Sequence, residues 1–407
     1  MVNTLCTNFN GSSNPSTANT TEYWPVGGAS NKSATETDAQ IMFRSGGTVT
    51  NLFINITANT IAGTSTFDFR VNAASSALTI SIGSSASGIF EDTTHSVTVN
   101  AGDKCCFRTV PGATTNTMTP GGAMSVHYDN VTTTIQKCVS SNPAGFAASA
   151  ASTSRYWAIT GNLTGTATEA LANVKAEQAG TAQNLAVNAI VNARTTATTV
   201  ALRKGAANSA LTLSITASTT GFFEDTTHTV SIAAADLIDY VETTGLGTGT
   251  LTVTSVAMEI TSAVGYGILT MDTGGGTAQT FGITRYSAVM GWLSVVSTET
   301  TSQLTVRSPF TFSNMNVRIS LNSNSSASTF QLRKNLTNAN LVVSITGSTT
   351  GLFEDITHSD TTTAGDKMNV SMTTAGASGT LSWGATALYT QLTVGTAQTI
   401  FVEWEES

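Results

Sequence analysis

Apolar and polar residues alternate along short runs throughout the chain, and this is the period of half-buried β-strands. In the first hundred residues the clearest runs are 48–57 (TVTNLFINIT), 66–71 (TFDFRV), 78–82 (LTISI) and 96–100 (SVTVN). β-Branched residues dominate these runs, and Gly, Asn and Ser separate them as turns do. Only residues 166–179 are compatible with a helix. Short strands at this regular spacing predict an all-β chain built of antiparallel sandwiches.

One eight-residue phrase occurs three times within the alternating pattern. It reads GIFEDTTH at residues 88–95, GFFEDTTH at 221–228 and GLFEDITH at 351–358. Each copy also has a tyrosine and an arginine before the phrase and an aspartate after it, all at constant spacing. Without a gap, the copies align over residues 23–103, 156–236 and 286–366. The chain is therefore a tandem array of one module.

The repeat length and the strand spacing predict three tandem antiparallel β-sandwich domains. A jelly roll is the first expectation for each domain, and an immunoglobulin-like sandwich is the alternative. Ala-rich and Gly-rich pieces before the second and third copies are interpreted as linkers or spanning arms. The predicted divisions are an N-terminal arm (1–22), a first repeat (23–140), a linker (141–154), a second repeat (155–263), a linker or spanning strand (264–284), a third repeat (285–391) and a C-terminal strand or tail (392–407).

Charged residues make up only 10% of the chain, against roughly a quarter in ordinary soluble domains. Thr, Ser, Ala, Gly and Asn take their place, and they give a neutral, hydroxyl-rich surface suited to packing against other protein or to long exposure to solvent. The net charge is −8 and the 17 Lys and Arg residues are scattered, which argues against nucleic-acid binding. The chain has no run of 18 apolar residues and no basic, apolar start. We therefore expect no membrane span and synthesis in the cytosol.

A structural role accounts for the repeated phrase. Its Phe would close one end of the sandwich, and its Asp and Thr would close a turn by bonding to nearby backbone. Its Glu would pair with the recurring arginine of the same copy, and the pair would fix the register of two strands. The predicted ion pairs are Arg70 with Glu91, Arg203 with Glu224, and Arg333 with Glu354.

Two kinds of metal site are the alternatives for the phrase. Its acids, with Asp103, Asp236 or Asp366 downstream, could supply oxygen ligands for calcium, although no D-x-D-x-D-G loop is present. The three histidines could form one transition-metal site across copies or chains, because three imidazoles suffice as a ligand set. The candidate ligands are Asp92, His95, Asp225, His228, Asp355 and His358. The turn explains the same residues, so we predict neither a metal nor a cofactor.

Catalytic motifs are absent from the sequence. It has no G-x-S-x-G, no P-loop and no H-E-x-x-H. Adjacent carboxylates rarely face each other across the roughly 5 to 9 Å that glycoside hydrolysis requires. The cysteines do not recur from copy to copy, and they are expected to be free thiols: Cys6, Cys105, Cys106 and Cys138. The sequence therefore predicts a protein that is not an enzyme.

The run LTLSITASTTGFFEDTTHTVSIAAADLI at residues 211–238, preceded by LRK at 202–204, carries a resemblance. It resembles a module of structural proteins in tailed bacteriophages and environmental viruses, and the first and third copies share the run. The module is similar, more distantly, to the trimeric jelly-roll heads of the tumour-necrosis-factor type. The resemblance implies a non-enzymatic virion protein made in the host cytoplasm, with the major capsid protein or other virion proteins as partners.

Two roles fit this resemblance. In the first, the chain is a capsid decoration or cement protein that binds the outer shell and neighbouring subunits. Its three copies would associate as an internal pseudo-trimer or within a homo-oligomer, or they would stack outward from the shell as beads in a row. In the second, the chain is a tail or head fibre or adhesin that binds a host-surface glycan or receptor, with Trp24 and Trp157 as sugar-stacking platforms. Packing between domains is the preferred interpretation of these two residues, because both recur just before the first predicted strand of their copies.

Overall fold

Strands account for almost all of the regular structure. The computed structural model describes residues 2–8, 16–29, 31–112, 115–130, 135–148, 150–262, 266–272, 277–289, 291–292, 295–306, 309–376 and 378–392. The helices among these residues are single turns: the α-helix Glu36–Ala39 and the 3-10 helices Glu169–Leu171 and Glu299–Ser302. Within the described ranges no helix is long and apolar enough to cross a membrane.

Within the described residues each copy contains eight principal strands, which we number in chain order. Those of copy 1 are Val2–Asn8, Glu22–Pro25, Gly47–Asn59, Ser65–Val71, Ala74–Ile82, Gly88–Val99, Lys104–Val110 and Thr117–Asn130. Those of copy 2 are Ile135–Ala148, Ser154–Trp157, Gly180–Asn192, Thr198–Lys204, Ala207–Ile215, Gly221–Ile232, Leu237–Thr244 and Leu251–Ser262. Those of copy 3 are Tyr266–Asp272, Thr284–Ser287, Phe310–Asn322, Ser328–Lys334, Thr337–Ile345, Gly351–Thr361, Lys367–Thr374 and Thr380–Leu392.

The strands of every copy form two sheets with the same order. One sheet contains the first, eighth, third and sixth strands, and the other contains the second, seventh, fourth and fifth. This is jelly-roll topology, so the all-β prediction of three jelly-roll-like sandwiches is confirmed and the immunoglobulin-like alternative is wrong. Short strands extend the sheets at Ser16–Thr17, Gly28–Ala29, Ile41–Met42, Gly161–Asn162, Val174–Lys175, Thr277–Thr280, Gly291–Trp292 and Leu304–Thr305.

The structure divides the chain differently from the sequence-based expectation. Val2–Asn8, expected within an N-terminal arm, pairs with Thr117–Asn130, and the expected linker 141–154 begins inside the strand Ile135–Ala148. Tyr266–Asp272, in the expected spanning piece, pairs with the eighth strand of copy 3. Small residues account for the difference, because Gly145 lies with φ at 79° where the pairing register shifts and the strand bends. Residues 393–407 lie outside the described residues, so the expected last strand there stays a prediction.

Apolar packing continues from one copy into the next. Each copy has its own core between its two sheets, built from alternate residues of the strands. The core of copy 1 also takes in Val139 and Ala257 of copy 2. The core of copy 2 takes in Ala385, Ala387 and Tyr389 of copy 3. The three sandwiches therefore form one packed body along these two interfaces.

The thiols with described side chains are buried inside this body. Cys105, Cys106 and Cys138 are free and inaccessible. Burial raises the pKa of Cys138 to about 12, and it also raises the pKa of the other two thiols. Thiols held in the neutral form are unreactive, so these three residues act as small core side chains.

Candidate functional site at the interfaces between the copies

The repeated phrase forms a bulge in the sixth strand of each copy. In copy 1, Leu52 lies opposite Asp92 and Thr50 lies opposite Ser96, so the phrase strand has extra residues where its partner has Asn51 alone. Asn51 has φ at 53°, and the equivalent Asn184 and Asn314 have φ at 58° and 49°. Asn tolerates this left-handed conformation better than most residues. The recurrence of both the phrase and the asparagine follows from the bulge.

The Asp of the phrase holds the bulge together. Oδ1 of Asp92 accepts hydrogen bonds from the backbone N–H of Thr94 at 3.1 Å and of His95 at 3.2 Å, and Oδ2 accepts one from Thr79 N–H at 3.2 Å. The Thr94 hydroxyl donates to the same carboxylate at 3.0 Å. Asp225 and Asp355 make the same set of bonds in the other copies. The predicted turn is present in all three copies.

These hydrogen bonds stabilise the ionised carboxylate. Burial raises the pKa of Asp355, but hydrogen bonds from Val342 and Thr357 N–H and from His358 outweigh burial and hold the pKa at about 2. The pKa values of Asp92 and Asp225 are also lowered, for the same reasons. Each copy thus uses its Asp as an anionic cap for backbone N–H groups.

The phrase does not assemble a metal site within the part of the chain that the structure describes. Nδ1 of His95, His228 and His358 lies 2.9 Å from the Asp of its own phrase, and each imidazole is more than half exposed. The downstream acids belong to a different turn, where Asp103 accepts from Asn100 N–H and Asn72. Among the described residues no three His, Cys, Asp or Glu side chains come together as ligands. The structure instead places the candidate ligands in the bulges: Asp92, His95, Asp225, His228, Asp355 and His358.

The recurring arginine binds a different glutamate from the predicted one. Arg70 forms a bidentate pair with Glu36, at 2.8 and 3.0 Å. In the other copies Arg203 binds Glu169 and Arg333 binds Glu299 in the same way. The predicted pairs of Arg70 with Glu91, Arg203 with Glu224 and Arg333 with Glu354 are therefore wrong. The arginine lies in the second sheet and the phrase in the first, so a loop over the second sheet supplies the carboxylate.

The sequence carried a signal for the correct partner. Glu36, Glu169 and Glu299 each lie 34 residues before the arginine they bind. This spacing is as constant as the spacing from the arginine to the phrase, but it spans a loop that sequence patterns leave without structure. The recurring tyrosines belong to the same cluster, because the guanidinium groups of Arg70 and Arg203 lie 5.9 and 5.6 Å from the ring centres of Tyr23 and Tyr156.

In copies 1 and 2 the Arg–Glu pair fixes a loop that packs against the next copy, and copy 3 has the equivalent loop. We call residues 31–46, 164–179 and 295–306 the docking loops. The backbone carbonyl of Thr37, in the first docking loop, accepts a hydrogen bond at 2.7 Å from Nδ2 of the buried Asn188 in copy 2. In the second docking loop Leu171 lies against Gly384 of copy 3, where a Cβ would come within 2.5 Å of the Leu171 oxygen. Glycine at this place permits the close approach of two backbones.

The phrase glutamates of copies 2 and 3 bind the docking loop of the preceding copy. Arg44 Nη1 of copy 1 lies 2.8 Å from Glu224 Oε2 of copy 2. Lys175 Nζ of copy 2 lies 2.5 Å from Glu354 Oε2 of copy 3. Both recurring charges of the module, the arginine of the second sheet and the phrase glutamate, thus serve contacts between copies.

Three equivalent short strands meet where the copies converge. Gly28–Ala29, Gly161–Asn162 and Gly291–Trp292 each lie against the other two. At Gly28, which has φ at 91°, a Cβ would come within 2.8 Å of the Gly161 carbonyl oxygen. Mutual contact of one element from each copy means that the copies surround a common axis. They are not arranged as beads in a row.

The tryptophans proposed as sugar platforms are not available to a ligand. Trp24 and Trp157 are fully buried in the cores of copies 1 and 2. Trp24 Nε1 donates to the Thr109 hydroxyl at 3.1 Å, and Trp157 packs edge-on against Phe146 at 5.4 Å between ring centres. The stacking role is therefore wrong for both. Packing between domains is also wrong as their main role, since each residue belongs to the core of its own copy.

No family model and no curated protein matches the chain. Two solved virus structures are weakly similar to it, one described as "The Triple Jelly Roll Fold and Turret Assembly in an Archaeal Virus" and one as "Life in the extremes: atomic structure of Sulfolobus Turreted Icosahedral Virus". They are 13% and 12% identical, cover 87% and 86% of this chain and 81% and 80% of theirs, and have TM-scores of 0.15 and 0.16. TM-scores this low carry no argument about the fold or the role of the chain.

Proposed function

We propose that the chain is a non-enzymatic structural protein of a virion. In this role it is a capsid decoration or cement subunit, and it sits on the outer shell as a trimer made of one polypeptide. One observation carries the proposal: the short strands Gly28–Ala29, Gly161–Asn162 and Gly291–Trp292 meet around a common axis. A single chain then presents one jelly roll in each of three related directions, which is the symmetry that a three-fold position of a shell requires of its occupant.

The surface chemistry supports a partner that is protein. Only 10% of residues are charged, and the alternating strands turn Thr, Ser and Asn outward. In the phrase strand, Thr93, Thr94 and His95 are exposed side by side, and copies 2 and 3 expose the equivalent residues. Uncharged hydroxyl groups lose less hydration energy on burial than charged groups do, so such a surface packs readily on neighbouring subunits. The expected partners are the major capsid protein or other virion proteins.

The chemistry of the phrase supports a structural role. Its aspartate is occupied by backbone N–H groups in all three copies, and its glutamate binds across an interface in copies 2 and 3. The resemblance of residues 202–238 to structural modules of bacteriophages and environmental viruses points to the same class of protein. The fibre or adhesin role had its glycan platform in Trp24 and Trp157, and burial of both removes that support.

Electron cryomicroscopy of purified particles tests the proposal. Density for one chain at each local three-fold position of the outer shell is the expected result. Density on the tail or on spikes would overturn the decoration role in favour of the fibre, and absence of the chain from particles would overturn both. In solution, light scattering should give one chain of 41.9 kDa, and a stable trimer of chains would contradict the single-chain occupant.

A further inference from the structure

The three copies differ in sequence at one pair of positions, and in copies 2 and 3 the side chains at this pair contact the preceding copy. The positions lie directly opposite each other on the first and eighth strands. Strand register identifies the equivalent pairs as Thr4 and His127 in copy 1, Lys137 and Glu259 in copy 2, and Ile268 and Tyr389 in copy 3. We infer that these positions, which we call the key positions, determine which copies can pack together, so that each copy packs only on its own preceding copy. The three copies then close into a ring within one chain and in one order. This inference rests on the ring itself and is independent of the role in a virion.

Copy 2 carries a buried ion pair at the key positions. Lys137 Nζ lies 2.7 Å from Glu259 Oε1, and the side chains are only 5% and 3% exposed. Asn184 of the same copy donates to Glu259 Oε2 at 2.7 Å. Burial raises the pKa of Glu259, but Lys137 and the hydrogen bonds more than offset burial, so the pKa lies below its usual value and the carboxylate is ionised. A buried pair of this kind is stable only when every charge has suitable surroundings.

Copy 1 supplies those surroundings. The rings of Phe43 and Tyr128 lie 4.6 and 4.9 Å from Lys137 Nζ, and the two rings pack edge to face at 5.2 Å. The Ser45 hydroxyl donates to Glu259 and also accepts from Lys137 at 3.3 Å. The Tyr128 hydroxyl donates to the Ser45 carbonyl at 2.6 Å and holds this residue in place. Copy 1 thus offers two aromatic faces for the ammonium group and a hydroxyl for the carboxylate.

The face that copy 2 presents to copy 3 lacks this chemistry. Ala176 and Ile260 occupy the places of Phe43 and Tyr128, as the docking-loop alignment and strand register show. They line a cleft together with Ile268 and Tyr389 of copy 3, and polar residues of copy 2 line it as well: Gln136, Glu177 and Gln178. The Tyr389 hydroxyl donates to the Lys175 carbonyl. Gln136 Nε2 of copy 2 also donates to the Ile268 carbonyl at 3.2 Å, so two neutral hydrogen bonds involve residues at these positions. The charged contacts of this interface lie on Lys175, which pairs with Glu354 of copy 3 at 2.5 Å and with Glu177 of its own copy at 3.5 Å. Among the described residues no ion pair joins Ile268 and Tyr389 in the way that Lys137 and Glu259 are joined in copy 2.

Exchange of partners would leave each face unsatisfied. Lys137 docked against Ala176 and Ile260 would lose both rings and the hydroxyl while remaining buried. Ile268 and Tyr389 docked against Phe43 and Tyr128 would meet two large rings where they now meet small or aliphatic side chains. The first mismatch carries the free-energy cost of an unsatisfied buried charge. The second carries the cost of overpacking. A second copy of the chain is therefore a poor substitute at either interface, which is specificity by mismatch.

The inference is tested by substitutions, made in the full chain, that give the contact surface of one copy the side chains of another copy. Phe43→Ala with Tyr128→Ile gives copy 1 the side chains that copy 2 presents to copy 3. Lys137→Ile with Glu259→Tyr gives copy 2 the side chains that copy 3 has at the key positions. We expect each double variant to lower Tm by about 4 °C or more, and the fourfold variant to recover part of the combined loss because the faces match again. Losses that simply add would overturn the inference.

A second measurement distinguishes a change of packing specificity at the key positions from a general loss of stability. Two differently tagged full chains are co-expressed, and one tag is captured. The wild type should retain none of the second tag, whereas Phe43→Ala with Tyr128→Ile should retain it, because copy 1 then accepts copy 3 of another chain. The matched control is Arg108→Met with Asp68→Asn, which removes a partly buried pair inside the second sheet of copy 1. Capture by the control, or no capture by the converted face, would overturn the inference.

Discussion

Arg44 of copy 1 reaches across an interface to the phrase glutamate Glu224 of copy 2, with 2.8 Å between Nη1 and Oε2. Glu224 is the residue that sequence spacing pairs with Arg203 of its own copy. Arg203 instead binds Glu169 at the base of the docking loop that packs on copy 3. The two charges of copy 2 thus act at opposite faces of the same sandwich, with Glu224 toward copy 1 and Arg203 toward copy 3.

Loss of the arginine should destabilise the docking loop. Arg203→Met leaves Glu169, 21% exposed, without its bidentate partner, so the free energy of unfolding should fall by about 2 kcal/mol. Thermal unfolding by calorimetry measures this loss. Glu224→Gln is the matched control: its pair with Arg44 is 40% exposed on the glutamate side, and its loss should cost less than about 1 kcal/mol. Equal effects of the two variants would contradict the assignment of Glu169 as the partner.

Acid should weaken the bulges. The pKa of Asp355 is about 2 in the folded protein and near 3.8 in the unfolded chain, so its ionised form contributes stability above pH 4. This contribution is lost as pH falls from about 4 toward 2, because protonation removes the acceptor for Val342, Thr357 and His358. Asp355→Asn should lower Tm at pH 7 and flatten the pH dependence of Tm below pH 4. An unchanged acid profile in this variant would exclude Asp355 as the titrating group.

Rising pH should lower the stability of copy 2, because this copy contains a buried aspartic acid. Asp239 is fully buried, and neither of its carboxylate oxygens has a hydrogen-bond partner among the described residues. Burial, opposed by Arg203, raises its pKa to about 9. Because the folded state then holds a proton that the unfolded state releases near pH 3.8, stability falls as pH rises from about 4 to 9.

Replacement of this acid should therefore stabilise the protein. Copy 3 has Asn369 at the equivalent position, where its Nδ2 donates to Ser302. Asp239→Asn should raise Tm at pH 8 more than at pH 5, since it removes a slope of at most about 1.4 kcal/mol per pH unit. Chemical unfolding at several pH values measures this slope. A gain that is the same at both pH values would point to packing instead of ionisation.

A side chain at Gly384 should open the interface between copies 2 and 3. A Cβ there would lie 2.8 Å from the Leu171 Cα and 2.5 Å from its carbonyl oxygen, and both are backbone atoms that side-chain rotation cannot clear. Gly384→Val should lower Tm by about 4 °C or more and increase the radius of gyration in small-angle scattering. Gly83→Ala is the control, because its Cβ would make an ordinary contact of 3.8 Å with Ala86. An unchanged radius would show that the docking loop tolerates displacement.

Sequence patterns predict the elements well because each is encoded locally. Alternation locates the strands, and the phrase locates the modules, since the bulge at Asp92 uses residues that are near one another in the chain. The partners of charged groups are harder to predict, because Glu36 and Arg70 meet through a loop with no periodicity. The pair of Lys137 and Glu259 cannot be found from recurrence, since it occurs in one copy alone and its aromatic neighbours come from another.

Small residues explain the error in domain division. The expected linker 141–154 has the composition of a flexible segment, and composition alone predicts flexibility. In the folded protein its first half is a strand whose Gly145 makes room for Thr252 of the neighbouring strand. Close packing and conformational freedom favour the same residues, so only the three-dimensional contacts distinguish them.

The contact of three short strands at the common axis determines how assembly depends on protein concentration. These strands are Gly28–Ala29, Gly161–Asn162 and Gly291–Trp292. In a trimer of separate chains the axis forms only above a threshold concentration, and it is lost on dilution. Here each copy is tethered to the next by a few residues, so the others are present at a local concentration of millimolar order whatever the amount of protein. Closure of the axis is then a folding event, complete in a single molecule before it meets a partner.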